Sequence, residues 1–367
     1  MNRQKIFIVA GEDSGDLHGS KLIISLKKLN PNIDLYGIGG SRMEKEGLKL
    51  TEHIKNLNVI GIFEVLRHYR KIKTIFNNTI KEIKRINPDK IILIDYPGFN
   101  LRLAKKLKRL GFDVRYFILP QVWAWKESRA KVLKDTCNKL ISIIPFEKDW
   151  FLKRGISVSY VGHPLGDLNK KSFDKNIFLK ENNIPEGNKI IALLPGSRKV
   201  EVDRHWKIFE GTVKKLNKKR NDLTFVLIEG DNVSFNTDPR IIRMNKGRYN
   251  AIFCADAAIV CSGTATLETA MLNCPMIVCY KLSAATWFLA KMMSKVKYLS
   301  LVNLIAGREI VEEYLQENMK ETNLVSGVLG LLDKDNSERI KEDYQTLINK
   351  LKTNSSPYLE AAKIIYD

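Results

Sequence analysis

Short apolar runs alternate with amphipathic stretches along the first half of the chain. Runs rich in Ile, Leu and Val are typical of strands that are buried on both faces of a parallel sheet. On this basis, strands are predicted at residues 5–12, 33–40, 90–98, 113–120 and 139–146. Residues 17–30 and 99–111 have the apolar spacing of helices that cover such a sheet. The alternation of strand and helix predicts a doubly wound parallel sheet.

The same rhythm restarts after a polar connection that follows residue 167. Further strands are predicted at residues 189–198, 223–231, 257–264 and 275–281. We therefore expect an α/β protein with two Rossmann-like domains, the first at residues 1–167 and the second at 168–345. Residues 346–367 are predicted to form a helical tail that packs back on the first domain or on a partner subunit. The sequence does not decide between these two positions of the tail, and a homodimer therefore remains possible.

Two carboxylates stand out where the first domain's predicted strands end, because ligands of such folds bind at the carboxyl ends of the strands. Asp95 ends the aliphatic run at residues 91–94, directly before a Pro-Gly turn. Desolvating a carboxylate is costly, so a buried strand has no stability reason to end in one. Glu12 follows the first strand in the segment GEDSGDLHG. The spacing of its acidic residues is not that of a Ca²⁺ loop, and no metal is expected.

The second half carries two turns that suit a nucleotide diphosphate. In LLPGSR, Ser197 is a candidate helix N-cap and Arg198 a candidate for a charge-assisted phosphate contact. In SGTATLE, small residues let the backbone approach a ligand, and Glu268 suits the two hydroxyls of a ribose. The small residues of this turn are Ser262, Gly263, Thr264, Ala265 and Thr266. Neither turn is a Walker A loop or a GxGxxG loop, which disfavours an ATPase and a nicotinamide enzyme. The alternative for the first turn is an ordinary strand-to-helix turn with a surface arginine, and for the second it is a capped helix whose Glu268 favours the helix N-terminus.

The net charge of the chain indicates a negatively charged partner in addition to a nucleotide. The chain has 61 Lys and Arg against 41 Asp and Glu, a net charge of +20, which favours a nucleic acid or an anionic membrane surface. No apolar run is long enough for a bilayer span, and the N-terminus lacks the pattern of an export signal, so a cytoplasmic location is expected. The five cysteines are predicted to be reduced core thiols.

Two segments have the character of lipid or acceptor contacts. Residues 58–76 form a basic amphipathic pattern, a form that can lie on an anionic membrane. The alternative is a crossover helix whose apolar face lies in the core. Trp123 and Trp125 follow a predicted strand, where an indole can stack on a sugar, lie at an interface or belong to the core. The candidate contact residues are Ile62, Phe63, Leu66, Arg67, Trp123 and Trp125.

The motifs taken together resemble the lipid-A-disaccharide synthases. The resemblance is carried, in order, by VAGEDSGDLHG, IDYPGFNLRLAKKLK, LPQVWAWKESR, IPFEKDWF, VGHPLGD, ALLPGSRKVEV, SGTATLE and SLVNLIAGREIVEE. It implies a GT-B fold, with two Rossmann-like domains facing across a cleft. It also implies transfer from UDP-2,3-diacylglucosamine to 2,3-diacylglucosamine 1-phosphate, which gives a β(1→6) disaccharide 1-phosphate and UDP. No cofactor is implied, and the expected location is the cytoplasmic face of the inner membrane, with peripheral attachment.

The resemblance also implies roles for individual residues. Asp95 is the favoured general base for the attacking 6-hydroxyl, and Glu12 is the second candidate or a ligand of the acceptor. Arg198 is expected to neutralise the diphosphate, and Asn303 to lie near the nucleotide. Two alternatives remain at this point. One is another GT-B enzyme that acts on a UDP-sugar, either a transferase with a lipid-linked acceptor or an epimerase. The other is a nucleic-acid-binding protein, for which no reading motif is present.

Overall fold

The computed structural model describes residues 3–57, 69–124, 126–167, 173–196, 198–229, 235, 237–244, 247–293, 296–353 and 355–367. The described residues divide into two compact units. The first comprises the chain up to Pro164 together with Lys352–Asp367, and the second is Leu165–Leu351.

The first unit is built on a parallel sheet whose described strands follow the order β3-β2-β1-β4-β5-β6-β7. These strands are β1 (Gln4–Val9), β2 (Ile33–Gly39), β3 (Lys49–His53), β4 (Lys90–Ile94), β5 (Val114–Phe117), β6 (Lys139–Ser142) and β7 (Ser159–Tyr160). The described helices before the unit boundary are α1 (Asp13–Leu29), α2 (Ser41–Lys45), α3 (Tyr69–Ile86), α4 (Pro97–Arg109), α5 (Arg129–Thr136) and α6 (Pro145–Leu152). A 3-10 turn lies at Ile54–Asn56 and another at Pro164–Asp167.

The second unit repeats this plan, with the described strands in the order β10-β9-β8-β11-β12-β13. They are β8 (Lys189–Leu194), β9 (Leu223–Ile228), β10 (Ile242–Met244), β11 (Ala257–Cys261), β12 (Met276–Tyr280) and β13 (Glu313–Leu315). The helices described here are α7 (Lys175–Glu181), α8 (Lys199–Lys219), α9 (Arg248–Cys254), α10 (Thr264–Met271), α11 (Ala284–Met293), α12 (Leu301–Ala306), α13 (Glu321–Leu331) and α14 (Lys334–Leu351), with a 3-10 turn at Gln316–Asn318.

Both sheets confirm the predicted doubly wound architecture. In each sheet the strand order reverses direction at one place, between β1 and β4 in the first and between β8 and β11 in the second. Such switch points are where ligands bind in open α/β sheets, because the loops diverge there and leave a crevice. The central strands β1, β4, β8 and β11 are buried along most of their length, as the apolar runs predicted.

The sequence missed four strands, and all four lie at the edges of the sheets. They are β3 and β7 in the first sheet and β10 and β13 in the second. An edge strand has a neighbour on one side only, so it is short and tolerates polar residues. Its sequence therefore lacks the aliphatic run by which the central strands were predicted.

The chain returns to the first unit with its last helix, α15 (Pro357–Tyr366). The buried guanidinium of Arg115 on β5 donates to the carbonyls of Ile364 and Ile365, at 2.8 and 2.5 Å. The hydroxyl of Tyr358 lies 2.9 Å from Nδ1 of His18 on α1. These contacts fasten the end of the chain to α1 and β5. Among the described residues, no helix combines the length and the apolar character that a bilayer span requires.

Candidate functional site

Asp95 lies in an unusual backbone conformation directly after β4. Both Asp95 and Tyr96 have positive φ angles, of 42° and 50°. This left-handed region costs residues other than glycine roughly 1–2 kcal/mol each, and such strain persists only where the surroundings impose it. The amide of Asp95 donates to the carbonyl of Phe117 at 3.2 Å. Its carbonyl accepts from the Tyr116 hydroxyl at 2.6 Å and from Nδ2 of Asn100 at 2.8 Å. The main chain of Asp95 is thus held rigidly at the switch point of the first sheet.

The electrostatic environment of Asp95 suits a group that exchanges protons near neutrality. Burial and, to a smaller extent, the nearby charge of Glu12 raise the pKa of its carboxyl to about 7, against a backbone hydrogen bond from Tyr96 that lowers it. A general base works best when its pKa lies close to the operating pH. Asp95 therefore has the placement and the protonation behaviour of a catalytic carboxylate.

Glu12 lies on the other side of the same switch point, after β1. It precedes the first residue of α1, its backbone is extended, and its carboxylate accepts from the Ser14 hydroxyl at 3.0 Å. Gly11 explains how this loop approaches Asp95. A Cβ atom at Gly11 would lie 2.1 Å from Cδ1 of Tyr96, so only glycine lets the tyrosine ring pack against the loop. The structure thus brings together the two carboxylates that the sequence singled out.

Asp16, in the same acidic segment, has a structural role instead. Its side chain is buried and accepts from the amides of Gly40, Arg42 and Met43, at 2.7, 3.1 and 3.1 Å. It therefore caps the start of α2. In the described part of the chain, no group of three or more His, Cys, Asp or Glu side chains could hold a metal ion.

In the second unit, Arg198 stands where β8 turns into the long helix α8. Its side chain is 53% exposed, and its guanidinium lies 3.9 Å from the carboxylate of Glu201, a loose ion pair. Gly196 has a φ of 130°, and a Cβ atom there would lie 2.8 Å from Cβ of Glu201, so the turn before the helix requires glycine. An available guanidinium at a helix N-terminus is suited to a phosphate group.

A buried histidine that the sequence analysis missed holds this turn in place. His205 on α8 is fully buried. Its Nδ1 lies 2.9 Å from the carbonyl of Pro195, and its Nε2 accepts from the amide of Lys281 at 3.1 Å. Burial lowers the pKa of His205, which keeps the ring neutral, with Nδ1 as the donor. The sequence signal was a histidine among the apolar core positions Val202 and Phe209 of the same helix face.

The turn after β11 lies beside the turn after β8, because these strands are neighbours at the second switch point. Gly263 has a φ of 145°, and the space where a Cβ atom would lie is open. Gly263 and Thr264 are exposed and Ala265 is partly buried, so the start of α10 is accessible to a ligand. The Ser262 hydroxyl donates to the carbonyl of Leu299 at 3.3 Å. These placements suit the predicted nucleotide turn, whose binding role remains a prediction.

Thr266 and Glu268 are engaged inside the second unit. Thr266 is fully buried and its hydroxyl donates to the carbonyl of Gly263 at 2.8 Å. Its side chain therefore closes the turn, and the predicted contact of this turn with a ligand stays a prediction. Glu268 forms an ion pair with Arg248. Burial raises the pKa of Glu268 while this arginine opposes the shift. The ion pair with Arg248 therefore fixes the position of the Glu268 carboxylate before any ribose binds.

The side chain of Asn303 is engaged inside the second unit, and its predicted place near the nucleotide stays a prediction. Asn303 is fully buried. Its Nδ2 donates to the Val311 carbonyl at 2.8 Å and to the Glu313 carboxylate at 2.9 Å. Its Oδ1 accepts from the amides of Ile310 and Val311, at 2.7 and 3.1 Å. All four hydrogen-bonding positions of the amide are occupied within the protein, so Asn303 ties the segment after α12 to β13.

Among the predicted lipid and acceptor contacts, Trp123 is the residue that the structure describes. Of the alternatives left open for Trp123, the structure supports a place in the core: it is 5% exposed, and its indole N–H donates to the Glu147 carboxylate at 2.8 Å. This internal bond lets the indole lie in the core, away from a direct membrane contact. The remaining predicted residues lie outside the described residues, namely Ile62, Phe63, Leu66, Arg67 and Trp125, as does Ser197 of the nucleotide turn.

Glu147 is the second residue that the sequence analysis missed. It is fully buried in the first turn of α6, which follows β6. Its side chain bonds both Trp123 and Ser142. A signal was present, since Glu147 shares with Asp95 the pattern of an acidic residue close to a proline after an aliphatic strand.

Comparison with known proteins agrees with this arrangement. A family model described as lipid-A-disaccharide synthetase matches residues 6–364. A protein named lipid-A-disaccharide synthase from Syntrophus aciditrophicus is 36% identical over 361 residues, covering 96% of this chain and 94% of the relative. Lipid-A-disaccharide synthase 1 of Legionella pneumophila strain Paris is 39% identical over 332 residues, covering 88% of this chain and 86% of the relative.

Solved structures with the same fold include both transferases and epimerases. A putative UDP-N-acetylglucosamine 2-epimerase from Listeria monocytogenes has a TM-score of 0.66 at 13% identity, covering 99% of this chain and 94% of that one. The glycotransferase of kitacinnamycin has the same TM-score and identity, covering 99% and 98%. At this identity the likeness establishes the fold alone.

Proposed function

The chain belongs to the lipid-A-disaccharide synthase family and is a glycosyltransferase, and on that premise we propose its substrates and mechanism. The donor is UDP-2,3-diacylglucosamine and the acceptor is 2,3-diacylglucosamine 1-phosphate. The products are the β(1→6) disaccharide 1-phosphate and UDP, with inversion at the anomeric carbon. The observation that carries the proposal is Asp95, a carboxylate held in a strained backbone at a switch point, whose pKa is raised to about 7 by burial and by Glu12.

In the proposed reaction, Asp95 removes the proton of the acceptor's 6-hydroxyl as the oxygen attacks the anomeric carbon of the donor. The bond from that carbon to the diphosphate oxygen breaks, and UDP leaves with the bonding electrons. A single displacement of this kind needs no covalent sugar–enzyme intermediate, so the configuration inverts. Glu12 raises the basicity of Asp95, or binds an acceptor hydroxyl.

The second unit supplies the proposed nucleotide contacts. Arg198 faces the diphosphate, where negative charge grows as UDP leaves, and such a contact is worth more in the transition state than in the ground state. The turn that includes Gly263 and Thr264 offers amides at the start of α10 for a phosphate oxygen. Glu268 accepts hydrogen bonds from the ribose hydroxyls. Arg198 is the strongest of these assignments because its guanidinium is exposed and only loosely paired.

We test the reaction by mixing the protein with both substrates and no added metal, and by measuring UDP and disaccharide by mass spectrometry. Equal amounts of UDP and disaccharide are expected. Asp95→Asn should bind UDP but lose about 100- to 10,000-fold in turnover, the usual contribution of a general base. Asp89→Asn, at the opposite end of the same strand, is the matched control and should keep its turnover. Epimerised UDP-sugar without disaccharide, or an active Asp95→Asn variant, would contradict the proposal.

The nucleotide contact has its own test. Arg198→Ala should weaken UDP binding by roughly 10- to 100-fold, as expected for a charge-assisted hydrogen bond. Isothermal titration calorimetry with UDP measures this directly. Arg220→Ala, which removes an arginine paired with Asp222 just beyond the end of the same helix, should leave UDP affinity unchanged. Equal affinities for wild type and Arg198→Ala would exclude the assignment.

We further propose that the protein docks on the anionic cytoplasmic face of the inner membrane, where its acylated substrates lie. Support comes from the net charge of +20 and from Phe288 and Met292 on α11, which are 65% and 70% exposed. Co-sedimentation should be stronger with phosphatidylglycerol-containing vesicles than with phosphatidylcholine vesicles, and should weaken in salt. Changing Ile62, Phe63 and Leu66 to serine should reduce it. If sedimentation is unaffected, the contact lies elsewhere.

A further inference from the structure

Glu147 is a buried carboxyl group that the proposed mechanism does not use. It is fully buried in the first unit, and both of its oxygens accept hydrogen bonds, one from Nε1 of Trp123 at 2.8 Å and the other from the hydroxyl of Ser142. The same hydroxyl lies 3.1 Å from the carbonyl of Ile144 and accepts from the amide of Ile144 at 3.0 Å. Neither of these two partners is basic, and burying an ionised carboxylate without a basic partner is costly.

A neutral Glu147 gives each contact of the Ser142 hydroxyl its own proton, while the Ile144 carbonyl accepts from the Glu147 amide at 3.2 Å in either form. In the neutral form its O–H donates to Ser142, and the Ser142 hydroxyl donates to the Ile144 carbonyl. The indole of Trp123 then donates to the remaining carboxyl oxygen. If Glu147 were ionised, the single proton of Ser142 would be shared between Glu147 and Ile144. Burial, opposed by the hydrogen bonds from Ser142 and Trp123 and aided slightly by the charge of Asp95, raises the pKa of Glu147 to about 7.

Glu147 and Asp95 are linked through the strand between them. The amide of Asp95 bonds to Phe117 at the end of β5, and the amide of Ile118 bonds to Ile141 on β6. The segment that follows β5 contains Trp123, so this segment lies between the elements that carry the two carboxyls. The Trp123 ring packs edge-on against Phe146, with the ring centroids 4.9 Å apart. Glu147 is the polar anchor of that indole.

We propose that Glu147 is a positioning residue for the Asp95 site. It fixes the segment after β5 through the Trp123 indole, and by staying neutral it leaves the negative charge to Asp95. The charge of Asp95 opposes the ionisation of Glu147, whose neutral form has hydrogen-bond partners in Ser142 and Trp123. The inference rests on the proposed role of Asp95 as the general base.

Two substitutions at Glu147 separate positioning from charge. Glu147→Gln can donate to Ser142 and accept from Trp123, so its kcat should stay within about threefold of wild type and the acid limb of its kcat/KM profile should not move. Glu147→Leu loses both bonds and should lose about 10- to 100-fold in kcat, since a misplacement of about 1 Å can cost 100-fold. The KM for the donor should be unchanged in both variants. Each kcat is calculated per UDP-binding site, so that a smaller fraction of folded protein does not lower it.

Trp123→Phe keeps the aromatic ring and removes only the donor to Glu147, so it tests the same link if Glu147→Leu does not fold. Its kcat should fall about tenfold, a loss equivalent to about one hydrogen bond. Trp150→Phe is the matched control on α6, and its kcat should equal that of wild type. Unchanged kcat in Trp123→Phe or Glu147→Leu would overturn the positioning role. A shift of the acid limb to lower pH in Glu147→Gln would overturn the neutral state.

An infrared difference spectrum tests the neutral state without relying on turnover. At pH 6, wild type minus Glu147→Gln should show the C=O stretch of a protonated carboxylic acid. Absence of that band would show that Glu147 is ionised and overturn the inference. If wild type forms no disaccharide, the proposed function fails instead, and the infrared result still decides the protonation of Glu147.

Discussion

At the scale of single residues, Asp95 and Asn303 show why a polar side chain in a functional motif has two possible meanings. Every hydrogen-bonding position of the Asn303 amide is used inside the protein. The bonds that hold Asp95 to Phe117, Tyr116 and Asn100 involve its main chain, while its carboxyl accepts a backbone hydrogen bond from Tyr96. The same strained backbone that aims this carboxyl also keeps it partly out of water, and the raised pKa follows from that burial.

The residue-scale prediction concerns pH. Because activity requires ionised Asp95 and its pKa is raised to about 7, kcat/KM should rise with pH and level off above about 7. Glu12→Gln removes a negative charge that raises this pKa, so its acid limb should lie at lower pH than that of wild type. A profile of kcat/KM from about pH 5 to about pH 9 measures both.

Asp13→Asn is the control for that profile, since it removes a neighbouring exposed carboxylate. Its acid limb should coincide with that of wild type. A wild-type limb near the ordinary pKa of an aspartate, about 4, would show that Asp95 is not the titrating base. An unmoved limb in Glu12→Gln would show that another charge sets the pKa of Asp95.

At the scale of elements, the loops at each switch point depend on one close approach. Gly11 lets the ring of Tyr96 pack against the loop after β1. The Tyr96 hydroxyl then donates a hydrogen bond to the carbonyl of Leu57 at 3.1 Å. In the second unit, His205 joins the ends of β8 and β12 through Pro195 and Lys281. Each loop is therefore placed by contacts between elements, and the local sequence of the loop does not specify them.

The element-scale prediction compares two glycines. Gly11→Ala would force its methyl group into the Tyr96 ring, so the free energy of unfolding should fall by about 1–3 kcal/mol, the usual cost of overpacking. Gly98→Ala, in the first turn of α4, meets no atom within 4 Å and should be neutral or stabilising by about 0.4–1 kcal/mol. Urea unfolding of both variants measures the difference. Equal stabilities would refute the close-approach argument.

At the scale of the whole molecule, the chain leaves its first unit after Pro164 and returns to it at Lys352. The returning helix α15 is fastened by the buried Arg115, which also pairs with Asp113 at 2.8 Å. A buried guanidinium left without partners costs far more than an exposed one, so this contact makes the end of the chain part of the first unit's core.

The whole-molecule prediction follows from that return. Deleting residues 352–367 leaves Arg115 without its two carbonyl partners and uncovers α1, so amide hydrogens in β5 and α1 should exchange much faster. Protection in β8 and β11 of the second unit should stay as in wild type. Hydrogen exchange with mass spectrometry resolves both regions. Unchanged protection in α1 and β5 would show that α15 contributes nothing to the first unit, and Lys363→Ala, an exposed change within α15, is the control.

Much of the fold and part of the candidate site followed from the sequence. The central strands were predictable because burial on both faces demands continuous aliphatic runs. The edge strands β3, β7, β10 and β13 were not, since one-sided pairing leaves no such run. Asp95, Glu12 and Arg198 were predictable because a charged residue at the end of a buried strand has few structural uses. Glu147 and His205 were missed because their roles depend on partners far away in the chain.

The sequence by itself determined two doubly wound sheets and the types of side chain at their strand ends. Both follow from residues that are neighbours in the chain, through the periodicity of apolar positions and the cost of burying a charge. Only the tertiary structure decided which of those side chains remain free for chemistry. Trp123 and Asn303 matched the expected motifs, yet their polar atoms are saturated by Glu147 and by the β13 segment. The physical reason is that hydrogen-bond saturation and desolvation are set by contacts between residues distant in sequence, and these contacts exist only once the chain has folded.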